Sequence, residues 1–257
     1  MPEAPPMSLT AIAALERACL TALPAPRHAW DGPFVLKAFL GGTGRANACC
    51  ALDPAPDPDL AARIGRIEAT YHRLGLPSRF RSTPLDPPGL AEALLARGYL
   101  PDKDPTIVHA GPLVPVARPD AEVRDEGGPS EAWMALVATA EHQTPARRAE
   151  KLRNKDLLAA PGAWLVLREE GVDAACLFAV ADGAHCGIFD LATRPDFRRR
   201  GLGARLIRAA AQWARGLGAE ALYAQVASGN RPSRALQESL GLREAYRYSY
   251  YVKPTGG

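Results

Sequence analysis

Long apolar runs are missing from this chain, and so is any excess of cysteine or of net charge. No stretch approaches the roughly 20 apolar residues that a membrane-crossing helix needs, so no membrane span is expected. The opening MPEAPPMSLT has neither a basic start nor an apolar core, so no secretory signal is expected. Cysteine is limited to five residues, Cys19, Cys49, Cys50, Cys176 and Cys186, with no CxxC pair and no metal-ligand spacing. That argues against a disulfide framework or a bound metal and for reduced, buried thiols in a cytoplasmic protein. A net charge of +3 is too small by itself to argue for a nucleic-acid or membrane partner. What remains is ordinary: 257 residues, 47% hydrophobic and 23% charged, enough for two modest domains or one large one.

The organising stretch is His185 to Gly203, HCGIFDLATRPDFRRRGLG. Gly187 to Thr193 reads as a strand, and Arg194-Pro195-Asp196 as a turn, because proline cannot extend a ladder. A helix follows, with Leu202, Leu206, Ala210, Trp213 and Leu217 at helical spacing and Gly216 and Gly218 at its end. A strand feeding a glycine turn into a helix presents unpaired N–H groups at the positive end of the helix dipole, a ready anion site. Gly201 and Gly203 would let a phosphate approach the backbone, and Arg198, Arg199 and Arg200 would add charge-assisted bonds.

The pattern R-x-x-G-x-G after a strand, here Arg198 to Gly203, resembles the cofactor signature of the GNAT superfamily of N-acetyltransferases. A second strand at Ala221 to Val226, an Asn230-led helix and the corner Leu240-Gly241-Leu242 resemble that superfamily's next cofactor segment. The resemblance covers about Val123 to Lys253 and implies an acetyltransferase that takes acetyl-CoA as co-substrate. It implies backbone pairing of the pantetheine arm at Leu191, Ala192 and Thr193. Pyrophosphate would lie on N–H groups of Arg199, Arg200, Gly201, Leu202, Gly203 and Ala204, with Asn230 and Ser233 contacting the cofactor. Asn230 equally suits an ordinary helix N-cap.

Elsewhere the pattern predicts a helix from Ser8 or Thr10 to Ala22 and paired strands at Phe34 to Leu40 and Ala46 to Leu52. The cluster Gly41-Gly42-Thr43-Gly44 lies between those strands and opens no helix, so it reads as a hairpin turn. Helices are expected at Leu60 to Leu74, Pro88 to Arg97, Ser130 to Glu141 and Pro145 to Leu158. Strands are expected at Ser78 to Ser82, Thr106 to Ala110, near Glu122, at Ala163 to Glu169, Ala174 to Val180 and Glu244 to Val252. Met1 to Pro6 is expected to be frayed.

Leu94 to Leu113 parallels Glu238 to Pro254 as helix, glycine corner, strand and proline, which suggests duplication. The expected fold is α/β (α+β), two GNAT-like domains in tandem, each a mostly antiparallel mixed sheet flanked by helices. Residues 1–112 form a degenerate half, 113–121 a proline-rich linker and 122–257 the cofactor-binding half. Where the first half needs a phosphate turn it has Leu52-Asp53-Pro54-Ala55-Pro56-Asp57-Pro58-Asp59, whose aspartates repel phosphate and whose prolines lack donors.

Acetyl transfer to an amine needs a base for the amine and an acid for the leaving thiolate. Asp190 is the candidate base, with an exposed strand carboxylate as the plain alternative and His185 as a weaker choice. The resemblance implies a tyrosine acid seven residues after Asn230, but Gln237 stands there, so Tyr246 or Tyr248 (with Tyr248 preferred) or water would substitute. The expected acceptor is a primary amine on a small molecule or peptide. A non-catalytic acyl-CoA-binding module is the alternative, and assembly as a homodimer is left open.

Overall fold

The computed structural model describes residues 7–102, 104–140 and 143–254; the expected fray at Met1 to Pro6 and the expected helix end at Glu141 lie outside them. In chain order the helices are α1 (Leu9–Ala22), α2 (Leu60–Arg73), α3 (Leu90–Ala96), α4 (Glu131–Val137), α5 (Pro145–Leu157), α6 (Leu202–Arg215) and α7 (Arg231–Ser239). The strands are β1 (Arg27–Asp31), β2 (Phe34–Ala38), β3 (Cys49–Ala51), β4 (Arg79–Ser82), β5 (Leu100–Pro101) and β6 (Thr106–Pro112). They continue with β7 (Val123–Asp125), β8 (Gly162–Glu169), β9 (Val172–Asp182), β10 (His185–Thr193), β11 (Ala221–Ala227) and β12 (Arg243–Val252).

Side-chain chemistry sets several of these boundaries. Ser8, Ser130 and Thr144 each accept a backbone N–H of the first turn of α1, α4 and α5, and Pro145 supplies the preset φ at the start of α5. Gly98 and Gly241 both end helices in the left-handed region, and each next residue (Tyr99, Leu242) is buried with its N–H bonded five residues back. The two corners therefore share one geometry, as the repeat in sequence suggests. The helix expected to reach Glu141 stops at Val137, and β1 and β5 were not expected at all. β1 is largely exposed, so it lacks the alternation that marks a half-buried strand.

All the strands join one mixed sheet, in the order β1-β2-β3-β4-β12-β6-β11-β10-β9-β8-β7, with β5 beside the end of β12. Two parallel β-α-β units stand in it: β3-α2-β4 and β10-α6-β11. Each is followed by a helix and a further strand, and those last strands cross over. β6 pairs with β11, while β12 runs from β6 on to β4. The sheet is thus continuous across the proline-rich stretch at 113–121, and β6 lies in its middle.

Alternating residues of β8 and β9 serve opposite faces, as the two-residue period of a strand requires. Leu165, Leu167, Leu177 and Ala179 pack under α6, whereas Trp164, Val166, Phe178 and Val180 pack under α1 and α4. A third cluster, including Phe34, Ile64, Tyr71, Phe80, Leu94 and Tyr99, lies between β2–β4 and α2–α3. Burial of Leu202, Leu206 and Ile207 contributes roughly 1.5–3 kcal/mol each and fixes α6 on the sheet.

Candidate functional site

The site grows from a break in β10. This strand pairs with β9 along its length, but the register slips between Phe189 and Ala192, and Asp190 takes φ 51°. Such a bulge bends a strand and re-aims a side chain. On its other side β10 pairs with β11 only from His185 to Ile188, so the edge of Leu191, Ala192 and Thr193 that faces away from β9 has no described strand against it. One of those edge acceptors is already used, since Arg198 Nε donates to the Thr193 carbonyl at 3.2 Å.

A short 3-10 turn, Pro195–Phe197, leads to Arg199 at φ 66° and Gly201 at φ 80°, two left-handed residues that curl the chain into α6. Successive N–H groups in such a curl form an anion-binding concavity. No side chain caps α6, so the first-turn N–H groups of Leu202, Gly203 and Ala204 have no partner within the helix. A Cβ at Gly201 would meet open space.

Gly203 has a different reason from the one expected. A Cβ there would stand 2.9 Å from Leu236 Cδ2 and 3.6 Å from Leu191, so the missing side chain lets α6 and α7 close over β10. The arginines also divide. Arg198 turns inward to Thr193 and Thr139, and Arg200 donates to Glu170 and to the Asp196 carbonyl, with its guanidinium over Phe197. Arg199 makes no hydrogen bond or ion pair among the described residues.

The remaining expected residues do not all converge. Asn230 Oδ1 accepts the Ser233 N–H at 3.2 Å, which makes it an N-cap of α7, and Ser233 Oγ accepts from Gln237 Nε2 at 3.1 Å. Gln237 is buried beside His109 of β6, whose imidazole burial holds below its ordinary pKa. Tyr248 is buried as well. Its hydroxyl donates to Gln225 Oε1 at 2.9 Å, and Arg81 lies 3.9 Å above its ring. Tyr246 donates to Glu16. His185 sits at the outer start of β10, five residues from Asp190.

Asp190 opens instead on a narrow cavity of about 40 Å³ that both parts of the chain build. Trp133, Trp164, Phe178 and Phe189 line it from one side, and Phe39, Thr43, Arg45 and Ala46 from the other. Trp164 stacks on Phe178 with centroids 4.7 Å apart. Lys151 of α5 donates to the Asp190 carboxylate within it. Tyr248 does not line this cavity, so the structure does not bring Asp190 and Tyr248 together there. A larger open groove lies along Glu122, Arg168 and Arg194, but Arg124 pairs with Asp173 and Arg194 with Asp196 along it, which reads as a solvated charged surface.

Sequence reasoning missed Glu150, Lys151 and the aromatic walls. The hairpin at Gly41 to Gly44 is present, yet it also wraps an anion. Glu150 Oε1 accepts the N–H groups of Leu40 (3.1 Å) and Gly42 (2.8 Å) and Asn47 Nδ2 (2.7 Å), and Oε2 accepts that of Thr43 (2.8 Å). The clustered glycines were a signal for such a cradle, but the carboxylate that fills it lies more than a hundred residues away.

Just before α2 an aspartate braces the turn. Asp57 accepts the Asp59 N–H at 3.0 Å and pairs with Arg63, which holds its carboxyl below the usual range. Among the described residues no cluster of three or more metal-ligating side chains occurs, and no helix is long and apolar enough to cross a membrane.

Comparison with known proteins matches residues 10–251 to the family described as "Probable histone acetyltransferase Rv0428c C-terminal". The uncharacterized N-acetyltransferase YobR of Bacillus subtilis (strain 168) is 25% identical over 244 residues, 93% of this chain and 97% of its own. A GCN5-related N-acetyltransferase from Kribbella flavida superposes with TM-score 0.71 at 20% identity, covering 95% of this chain and 96% of that one. A tandem GNAT protein from the clavulanic acid biosynthesis pathway superposes with TM-score 0.62 at 13% identity, covering 99% and 90%.

Proposed function

We propose that this chain, which belongs to the GNAT-type acetyltransferase family represented by the C-terminal part of probable histone acetyltransferase Rv0428c, moves acetyl from acetyl-CoA to a primary amine on a small molecule or peptide. The observation that carries this is the uncapped start of α6 beside an unpaired strand edge. Left-handed backbone at Arg199 and Gly201 and open space at Gly201 fit a pyrophosphate. In this reading the N–H groups from Arg199 to Ala204 hold the phosphates, with Arg199 adding charge. Leu191, Ala192 and Thr193 pair with the pantetheine arm, as an added strand would. The bound co-substrate supplies the activated acetyl thioester. Arg198, Arg200, Asn230 and Ser233 shape the turn and the start of α7.

Asp190 takes the proton from the incoming amine. Tyr248 would serve as the acid only by exchanging its bond to Gln225, and otherwise solvent returns the proton. The second reading, a non-catalytic acyl-CoA-binding module, draws on that separation of Asp190 from Tyr248 and on Gln237 being buried beside His109.

We further read residues 1–112 and 122–257 as two GNAT-like halves joined by 113–121. The repeated β-α-β units and matching glycine corners support this, and Asp57 in the first half's turn supports the loss of its cofactor site. Calorimetric titration with CoA should then saturate at one equivalent per chain. Gly201→Val should abolish binding, since a β-branched residue resists the left-handed region. Thiol release from acetyl-CoA with a panel of amines and peptides separates transferase from binding module. Two equivalents, or unchanged affinity in Gly201→Val, would sink the proposal.

A further inference from the structure

Lys151 brings a primary amine to the Asp190 carboxylate. Its side chain and that of Asp190 are 10% and 11% exposed, and the ammonium donates to the carboxylate inside the shared cavity. Asp190 lies one residue before the open edge Leu191–Thr193, and Trp133, Trp164, Phe178 and Phe189 line the same space. Aromatic walls around a carboxylate favour an alkylammonium. The preceding residue, Glu150, is locked by four donors of the loop from Leu40 to Asn47, so α5 presents Lys151 from a fixed position.

The other lysines are placed differently. Five occur in the sequence. Lys37 is buried on the carbonyls of Leu20 and Leu23, Lys253 pairs with Glu68, Lys155 is exposed on α5, and Lys103 lies outside the described residues.

We propose that Lys151 is an internal acceptor, acetylated at Nζ by the chain's own site. The inference rests on the reading that the acetyl thioester lies along Leu191–Thr193. In the step, Asp190 takes one proton from the ammonium and the Nζ lone pair attacks the thioester carbonyl carbon. The N–C bond forms and the C–S bond breaks. The leaving thiolate takes up the second proton lost by nitrogen, and Asp190 returns the first to solvent. The products are an acetamide on Lys151, free CoA thiol and one released proton. The acetamide removes the cation from Asp190 and occupies the narrow cavity of about 40 Å³. Acetylation therefore closes the site to other amines.

The test uses the full chain incubated with acetyl-CoA alone, followed by intact mass and peptide mapping. One acetyl group per chain on Lys151 is expected, absent in Lys151→Arg and formed roughly 100-fold or more slowly in Asp190→Asn, the range of a lost general base. The modified chain should also lose thiol release with amines that support it before modification. Acetyl on exposed Lys155 with none on Lys151 would overturn the inference, and so would an unchanged acetyl count in Lys151→Arg. CoA titration on the same preparation separates the two levels. Binding without Lys151 acetylation refutes this inference alone, whereas no binding refutes the reading beneath it as well.

Discussion

Removing the Glu150 carboxylate should do more damage than its single position suggests, because it joins two segments far apart in the chain. Its two oxygens accept four donors, three of them backbone N–H groups of the loop, and Arg147 Nε returns a bond to the Gly42 carbonyl at 3.0 Å. Hydrogen bonds to a charged group contribute roughly 1.5–3 kcal/mol each, but four that share one carboxylate do not add. In Glu150→Ala four neutral loop donors lose their acceptor at roughly 1–3 kcal/mol for each left unsatisfied, and since some regain water a total of about 3–5 kcal/mol is expected. Glu150→Gln keeps one oxygen facing three donors and sets an amide N–H₂ against the Thr43 N–H, so about 2 kcal/mol is expected. For a chain of this size 3–5 kcal/mol lowers Tm by roughly 6–20 °C.

Gly42→Ala attacks the same contact from the other side. Its Cβ would stand 2.7 Å from Arg147 N and Glu150 Oε2 and 2.8 Å from Ala146 C, largely backbone that cannot step aside. Urea unfolding followed by tryptophan fluorescence measures all three variants, with exposed Leu152→Ala as the control. The double variant Gly42→Ala/Glu150→Ala should cost less than the two singles added. A Glu150→Ala chain within about 0.5 kcal/mol of the parent, the range of a surface change, would refute the cradle as a structural joint.

Three other outcomes follow from buried charges. Arg81→Met should cost about 3–5 kcal/mol in the same unfolding assay, because Glu16 stays buried without its partner at 2.8 Å, and adding Glu16→Gln should recover much of it. Burial pushes the Asp86 carboxyl up from 3.8 to about 6, so the folded chain keeps a proton that the unfolded chain has released. Stability should fall by about 2 kcal/mol as pH rises from 4 to 6, and Asp86→Asn should flatten that slope in pH-dependent melts. Burial lowers the Lys37 ammonium from 10.5 to about 8, so the folded chain sheds its proton first; stability should rise between those values, and Lys37→Met should show no such rise.

How much of this was legible depends on how far each signal travels along the chain. The strand, turn and helix from His185 to Arg215 follow from local periodicity, and so do the Ser8, Thr144 and Asn230 caps and the glycine corners at Gly98 and Gly241. β1 escaped because its residues are exposed, and periodicity reports burial rather than pairing. The partners of Arg198 and Arg200 escaped because a basic run looks the same whether it faces solvent, a ligand or the chain's own Thr193 and Glu170. The packing need at Gly203 escaped because the side chain it makes room for, Leu236, lies some thirty residues on. The cavity around Asp190 was invisible for the same reason: its walls come from α4, α5, β8 to β10 and the loop after β2, and nothing in the pattern of any one segment names the others.

The crossing of β6 and β12 has a consequence on the ribosome. β6 is complete once Pro112 has been made, yet both of its neighbours, β11 and β12, lie beyond residue 220. For more than a hundred residues of synthesis this strand, whose Ile107 and Val108 become fully buried, has unpaired N–H and C=O groups along both edges. At roughly 5–20 residues per second that interval lasts several seconds, long enough for a partner from another nascent chain to compete.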